Sequence, residues 1–153
     1  MNFKPSDPDF EIRVRASFNK QKFMEFISAK LVKVKPGYCE IQIPFQPEIT
    51  QQHGFFHAGI LGTIADNAAG YAAFTLMDIH SSILTVEFKI NLLLPAEGEI
   101  LIGRSNVLKY GKTLTICRSD VYILKNGVEK LCAASQSTLI ELKNKIDPND
   151  IKI

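Results

Sequence analysis

Apolar and polar residues follow two rhythms along this chain. Phe10, Val14 and Phe18 recur at helical spacing, with Asp7 or Asp9 placed to cap them, and predict a helix over about 9–19. Phe23, Phe26 and Ile27 predict a second, short helical turn. From Leu31 the period drops to two. Leu31 with Lys33 to Lys35, then Tyr38 to Phe45, alternate around Pro36-Gly37 and predict a β-hairpin, which Pro44 and Pro47 close. Four later strands are predicted over 83–94, 99–109, 113–124 and 128–142, with turns at Tyr110-Gly111-Lys112 and Asn126-Gly127. The first of these sets Val86, Phe88, Ile90, Leu92 and Leu94 on one face. Between the hairpin and these strands, residues 49–77 carry almost no charge, and His57 to Met77 predict one apolar helix.

Such a helix does not lie on a solvated surface. Nor does it span a membrane: Asp66 at its middle would cost on the order of 3 kcal/mol in a bilayer, and Ala, Gly and Thr dominate it. The sheet must therefore wrap around it. The expected class is α+β, with strand and helix order β-β-α-β-β-β-β after an N-terminal helical segment. In the late strands Leu114, Ile116, Tyr122 and Leu124 lie opposite Cys117, Val121 and Ile123, so both faces are apolar, and a homo-oligomer that covers the outer face is expected. The expected organisation is a helical segment over 1–28, a core domain over 29–142 and a charged, frayed tail over 143–153, where Pro148 bars a long continuation.

Composition narrows the class further. The chain has 153 residues, suited to one domain, and its formal charge of +2 is too balanced for a dedicated nucleic-acid binder. The N-terminus lacks a signal-peptide apolar region. Cys39, Cys117 and Cys132 are odd in number and widely spaced, the pattern of buried free thiols in a reducing cytoplasm, where the protein is expected.

Candidate chemistry concentrates at the apolar helix. Asp66 shares a stripe with Gly62, Ala69, Gly70 and Ala73, so something approaches the helix closely there. A partly desolvated carboxylate is more basic than one in water and suits a general base or nucleophile. The alternative is a buried Asp that caps a loop or pairs with a distant Arg. The helix enters through a glycine-bearing turn, and its first amides, about Ala58, Gly59 and Ile60, have no partner within the helix and can hold an oxyanion. His53 and His57 are four apart but lack a third ligand, so no metal is expected; His57 is expected to bond the backbone and shape the turn.

The run from Gln51 through His57-Ala58-Gly59 to Asp66-Asn67, followed by Thr85 to Ala96 and Gly111-Lys112-Thr113-Leu114, resembles the PaaI-like (phenylacetate-degradation type) hot-dog-fold thioesterases. The likeness covers roughly Phe18 to Leu142. It implies a hot-dog fold, an antiparallel sheet around one central helix, and hydrolysis of acyl-coenzyme A thioesters at a site between two subunits of a dimer or tetramer. Coenzyme A is then part of the substrate, and no separate cofactor, nucleic acid or membrane partner is implied. By position, the Ala58 N–H and the Gln51 side chain would polarise the carbonyl, Asp66 of the other subunit would activate water or attack, Thr85 would orient the water, and His57 would hold the turn beside Gly59. His-Ala-Gly replaces the family's His-Gly-Gly, so the donor amide belongs to Ala58. Strand parity groups Thr85 with Glu87, Lys89 and Asn91, opposite Val86 and Phe88, so Thr85 needs a bulge or an interface to reach the site. Lys109, Lys112 and Arg118, with Lys89 and Arg104, are candidates to meet the coenzyme A phosphates. Phe55, Phe56, Tyr71 and Phe74 could line a fatty or an aryl pocket, and a medium or long aliphatic acyl chain is the expectation. Two alternatives remain. One is a non-catalytic acyl-coenzyme A-binding domain. The other is an enoyl-thioester hydratase, which would want a His five residues after the acid, where this chain has Tyr71.

Overall fold

The structure, a computed structural model, describes residues 3–143. Its elements run α1 (Phe10–Asn19), α2 (Lys22–Phe26), β1 (Lys30–Lys35), β2 (Tyr38–Pro44), a 3₁₀ turn (Pro47–Ile49), α3 (Ala58–Phe74), β3 (Ser82–Leu92), β4 (Ile100–Tyr110), β5 (Leu114–Lys125) and β6 (Val128–Leu142). The 3₁₀ turn follows from Pro47, whose fixed φ suits a helical first position. The tail predicted over 143–153 lies outside the described residues beyond Lys143. Among the described residues no helix is long and apolar enough to cross a membrane.

All six strands form one antiparallel sheet in the order β1-β2-β4-β5-β6-β3. The sheet curls around α3, which spans about 26 Å at 1.5 Å per residue. Closeness is set by small groups on both sides. A Cβ on Gly103 of β4 would sit 2.8 Å from Ile64, so only glycine lets helix and strand meet there. From β5, Ser119 Oγ donates to Ala65 O at 2.9 Å and Cys117 Sγ to Ala69 O at 3.5 Å, tying the sheet's inner face to the helix. Ile41, Ile43, Ile64, Leu101, Val121 and Leu139 fill the space between. The three cysteines are buried free thiols; burial pushes Cys117 up to about 12 and Cys132 up to about 11, which keeps both protonated and unreactive at neutral pH.

The helical segment is locked onto the end of α3 by contacts that local periodicity does not reveal. Asp9 occupies the α1 cap position, but its side chain makes no capping bond. The buried Asp7 instead anchors the entry to the helix, accepting from the Asp9 N–H at 2.9 Å and from Arg13 Nε at 2.9 Å. Arg13 Nη2 then donates to the carbonyls of Phe74, the last residue of α3, and Met77 just beyond it.

β3 is the exception to the core. It is an edge strand, exposed over most of its length on both faces, and Leu84 and Val86 are more than half exposed. With Leu114 and Leu108 they leave apolar surface at one end of the sheet's outer side. One expectation for this strand is corrected. Val86 does not share a face with Phe88 and Ile90. The pairing with β6 runs Thr85 to Leu139, then Glu87 to Thr138, so Val86 is an extra residue in a β-bulge. Thr85 therefore stands opposite the buried Leu139 on the helix-facing side, as Phe88 stands opposite the buried Ser137.

Candidate active site

The first component of the site is the entrance to α3. Residues 50–57 fold into a tight loop: Gln51 N donates to Phe55 O, Gly54 N to Gln51 O, and His57 N to Ile49 O. Gly54 sits at φ +81 with open space around it, so its conformation, not crowding, calls for glycine. His57 is the N-cap of α3, with extended backbone. Its Nδ1 accepts from Gly59 N at 2.9 Å, so that nitrogen carries no proton, and its carbonyl takes the amides of Ile60 and Leu61. The turn thus uses up Gly59, Ile60 and Leu61. The amide of Ala58 has no intramolecular partner among the described residues and sits on an exposed residue. Beside it, Gln51 Oε1 accepts from His53 N, which leaves the Nε2 end of that side chain to donate outward. Gln51 and Ala58 line one shallow groove with Phe55, Phe56, Leu61 and Leu92.

The second component lies further along the helix. Asp66 is half-buried, and Thr85 Oγ1 donates to its Oδ1 at 2.7 Å. Burial raises the Asp66 pKa above the usual carboxylate range, and the Thr85 hydrogen bond, which favours the anion, offsets part of that rise. The stripe predicted from Gly62 to Gly70 faces β3 and β6: Gly62 lies under the Phe88 ring and Gly70 by Leu139. What approaches the helix closely is thus the sheet's own edge. Asp66 and Thr85 open into a separate groove of about 620 Å³, which also takes in Tyr71 and Phe74. Among the described residues Asp66 pairs with neither a distant Arg nor a loop amide.

Eight residues separate Ala58 from Asp66, about 12 Å along one helix. One chain therefore brings Gln51 with Ala58, and Asp66 with Thr85, but does not bring the two pairs together. The basic candidates lie elsewhere. Arg118 stands between the inward-facing Cys117 and Ser119, so it projects from the outer face, where Asp120 meets it at 3.1 Å. Lys89 joins it in an outer-face groove. Arg104 is engaged by Glu40 and Glu129. Lys109 follows a bulge in β4 opposite Ile116, and Lys112 sits in the β4–β5 turn. Of the four aromatic candidates, Phe55 and Phe56 line the Ala58 groove, while Tyr71 and Phe74 line the Asp66 groove. His57 caps the helix, and among the described residues no group of three or more His, Cys, Asp or Glu is gathered to hold a metal.

Sequence reasoning missed the N-terminal wall of the Asp66 groove. Arg13, Ser17 and Gln21 line it, and Gln21 Nε2 donates to the Tyr71 hydroxyl. No local pattern marks these positions, because helical periodicity tells which face of α1 is apolar but not where its polar flank docks.

Residues 53–130 match the thioesterase superfamily, which is half of the chain. A thioesterase family protein from Silicibacter pomeroyi has a solved structure that is 43% identical, covers 88% of this chain and 98% of its own, and superposes with a TM-score of 0.86. Human acyl-coenzyme A thioesterase 13 is 29% identical over 71% of this chain and 76% of its own length. The PaaI protein of E. coli shares the fold, with a TM-score of 0.79 over 91% of this chain and 97% of its own, at 15% identity. The chain belongs to the thioesterase superfamily and is an enzyme of its hot-dog class.

Proposed function

We propose that this protein hydrolyses acyl-coenzyme A thioesters to the free acid and coenzyme A at a site shared by two copies of the chain. The observation that carries the reading is the division of labour along α3. An unpartnered amide at Ala58 and an outward amide at Gln51 suit a developing oxyanion, and a carboxylate of raised pKa at Asp66 suits a base, yet about 12 Å of helix parts them. The exposed β3 edge supplies the means. An edge strand of 11 residues, paired only with β6 among the described residues and largely exposed, is a template for a second copy. A dimer joined there brings Ala58 of one copy toward Asp66 of the other, and the apolar end of the outer sheet face suits further association into a tetramer.

In the reaction the Ala58 N–H and Gln51 Nε2 of one copy polarise the thioester carbonyl. Asp66 of the second copy, steadied by Thr85, takes a proton from water as the water oxygen bonds to the carbonyl carbon. The C–S bond then breaks, the proton passes to the departing thiolate, and the free acid and the coenzyme A thiol leave. Direct attack by the Asp66 carboxylate, followed by hydrolysis of the resulting anhydride, balances equally. The acyl group lies along the Asp66 groove, which suits a medium-length chain. The phosphates of coenzyme A fall to Lys109, Lys112 and Arg118, with Lys89 beside the β3 edge.

Release of free thiol from a panel of acyl-coenzyme A substrates, read against hydration of a 2-enoyl thioester, tests this reading. The expected result is thiol release from saturated substrates with no hydration. Hydration without release would make the protein a hydratase, and tight binding with neither would make it a binding domain. Against the hydratase, the position five residues after Asp66 holds Tyr71, whose hydroxyl is engaged by Gln21 and Ser17.

A further inference from the structure

Helix α2 and strand β1 carry an amphiphilic surface that the site does not use. Met24 in α2 and Ile27 just after it are buried, while Phe23 and Phe26 are 50% and 68% exposed. Their rings stack on each other with centroids 6.5 Å apart. A short turn leads into β1, with Ala29 N donating to Met24 O at 2.9 Å. β1 is the sheet edge away from β3 and pairs only with β2 among the described residues. Val32, where that pairing shifts register, is nearly half exposed.

Charge gathers in the same stretch. Residues 22–35 hold four exposed lysines, Lys22, Lys30, Lys33 and Lys35, against one acid, Glu25. Their net charge is +3 in a chain of +2 overall, so the remaining residues sum to −1. Glu25 is matched by Lys22 at 2.9 Å. Glu40, opposite Lys33, is held by Arg104, and on the neighbouring α1 Glu11 is matched by Arg15. The balanced total hides this local excess. Water solvates the lysines well but not the rings. The surface of an anionic bilayer answers both, since rings enter the boundary between headgroups and acyl chains while ammonium groups stay among the phosphates.

We propose that Phe23 and Phe26, with Lys22, Lys30, Lys33 and Lys35, dock this protein on the surface of an anionic lipid bilayer. Gln21, which caps α2, also lines the Asp66 groove, so docking brings the wall of that groove to the lipid–water boundary, where acyl chains collect. Docking of this kind needs no catalysis and stands or falls apart from thioester hydrolysis.

Flotation of the full chain with vesicles tests it, using phosphatidylcholine alone or with phosphatidylglycerol at about 7:3. Partitioning onto the anionic vesicles should exceed that onto the neutral ones about tenfold or more. Raising salt from about 0.05 M to about 0.5 M should lower it about fivefold or more. Phe23→Ala combined with Phe26→Ala should lower it about tenfold, because the rings no longer enter the boundary. Lys30→Gln combined with Lys33→Gln should lower it to a similar extent on anionic vesicles. None of these four side chains lines the Asp66 groove, and all are exposed, so both variants should unfold at the wild-type temperature. Absence of partitioning by the full chain, equal partitioning onto neutral vesicles, or partitioning unmoved by the Phe changes overturns the proposal. A smaller assembly mass for the Phe variant by analytical ultracentrifugation without lipid would mean that a second copy covers the rings, and overturns it as well. Each of these outcomes leaves thioester hydrolysis standing.

Discussion

The first residue of α3 and the ninth differ in almost every physical respect. Ala58 is exposed and offers a backbone donor; Asp66 is half-buried and offers an acceptor whose affinity for protons burial has raised. The loop before Ala58 is stitched by its own hydrogen bonds, so its geometry is local and needs only some eight consecutive residues. The setting of Asp66 is non-local: Thr85 arrives from the edge strand, and the groove wall arrives from α1. The difference teaches that the two halves of the chemistry answer to different causes. One is specified by a turn, the other by tertiary docking, and a single chain keeps them apart.

The sharpest way to break the comparison is to silence each half alone. Asp66→Asn keeps the shape and removes the base, so kcat should fall about 10²- to 10⁴-fold. Near-normal turnover of this variant would remove Asp66 from the mechanism. Ala58→Pro deletes the amide donor at the one helical position where proline is welcome, and His57 already has the extended backbone that a following proline demands. Turnover should drop about 10²- to 10³-fold with the circular dichroism spectrum unchanged. Co-expressing the two variants should restore about a quarter of wild-type activity, because half of a random dimer population is mixed and each mixed dimer holds one intact site. No recovery would mean that both groups act within one chain.

Smaller effects sharpen the Asp66 half. Thr85→Val removes one hydrogen bond to a carboxylate, worth about 1.5 kcal/mol, so the rate should fall about tenfold. That bond holds the Asp66 pKa down, so its loss should also move the acid limb of the pH–rate profile to higher pH. A last effect concerns stability. The Asp66 carboxyl binds its proton more tightly in the folded chain than in the unfolded one. Folding is therefore unpenalised below the unfolded carboxylate range and loses stability as pH rises through the higher folded value. Asp66→Asn should melt above wild type at neutral pH, and the gap should close in acid.

The split between local and non-local causes also explains how far the chain could be read unaided. The hairpin over 30–44, the apolar helix and the last strand over 128–142 follow from periodicity and turn residues, and each was predicted to within a few residues. Asp66 and the His57 turn stood out because a lone charge and a glycine-bearing entrance are local signals. The pairing of β3 with β6 rather than with its neighbour β4 has no local signature, since either partner satisfies the same alternation. The Asp7–Arg13 lock on α3 spans more than sixty residues of sequence and is written in no period. Thr85 falls between: parity alone set it on the wrong face, and the need for a bulge could be stated, but not that Val86 supplies it.

That bulge has a consequence for how sequences of this kind diverge. Reach toward Asp66 is a property of residue count as much as of residue identity. Were the same letters to pair without the bulge, with Val86 entering the ladder, one half of β3 would turn over relative to the helix, whereas deleting Val86 would leave Thr85 and Phe88 two apart on the same face. A relative could lose its threonine and keep the contact by shifting the insertion one place. Another could keep the threonine and lose the contact by pairing the same residues without a bulge. Comparing letters column by column mistakes both cases; the pairing of β3 with β6 on either side of the bulge separates them.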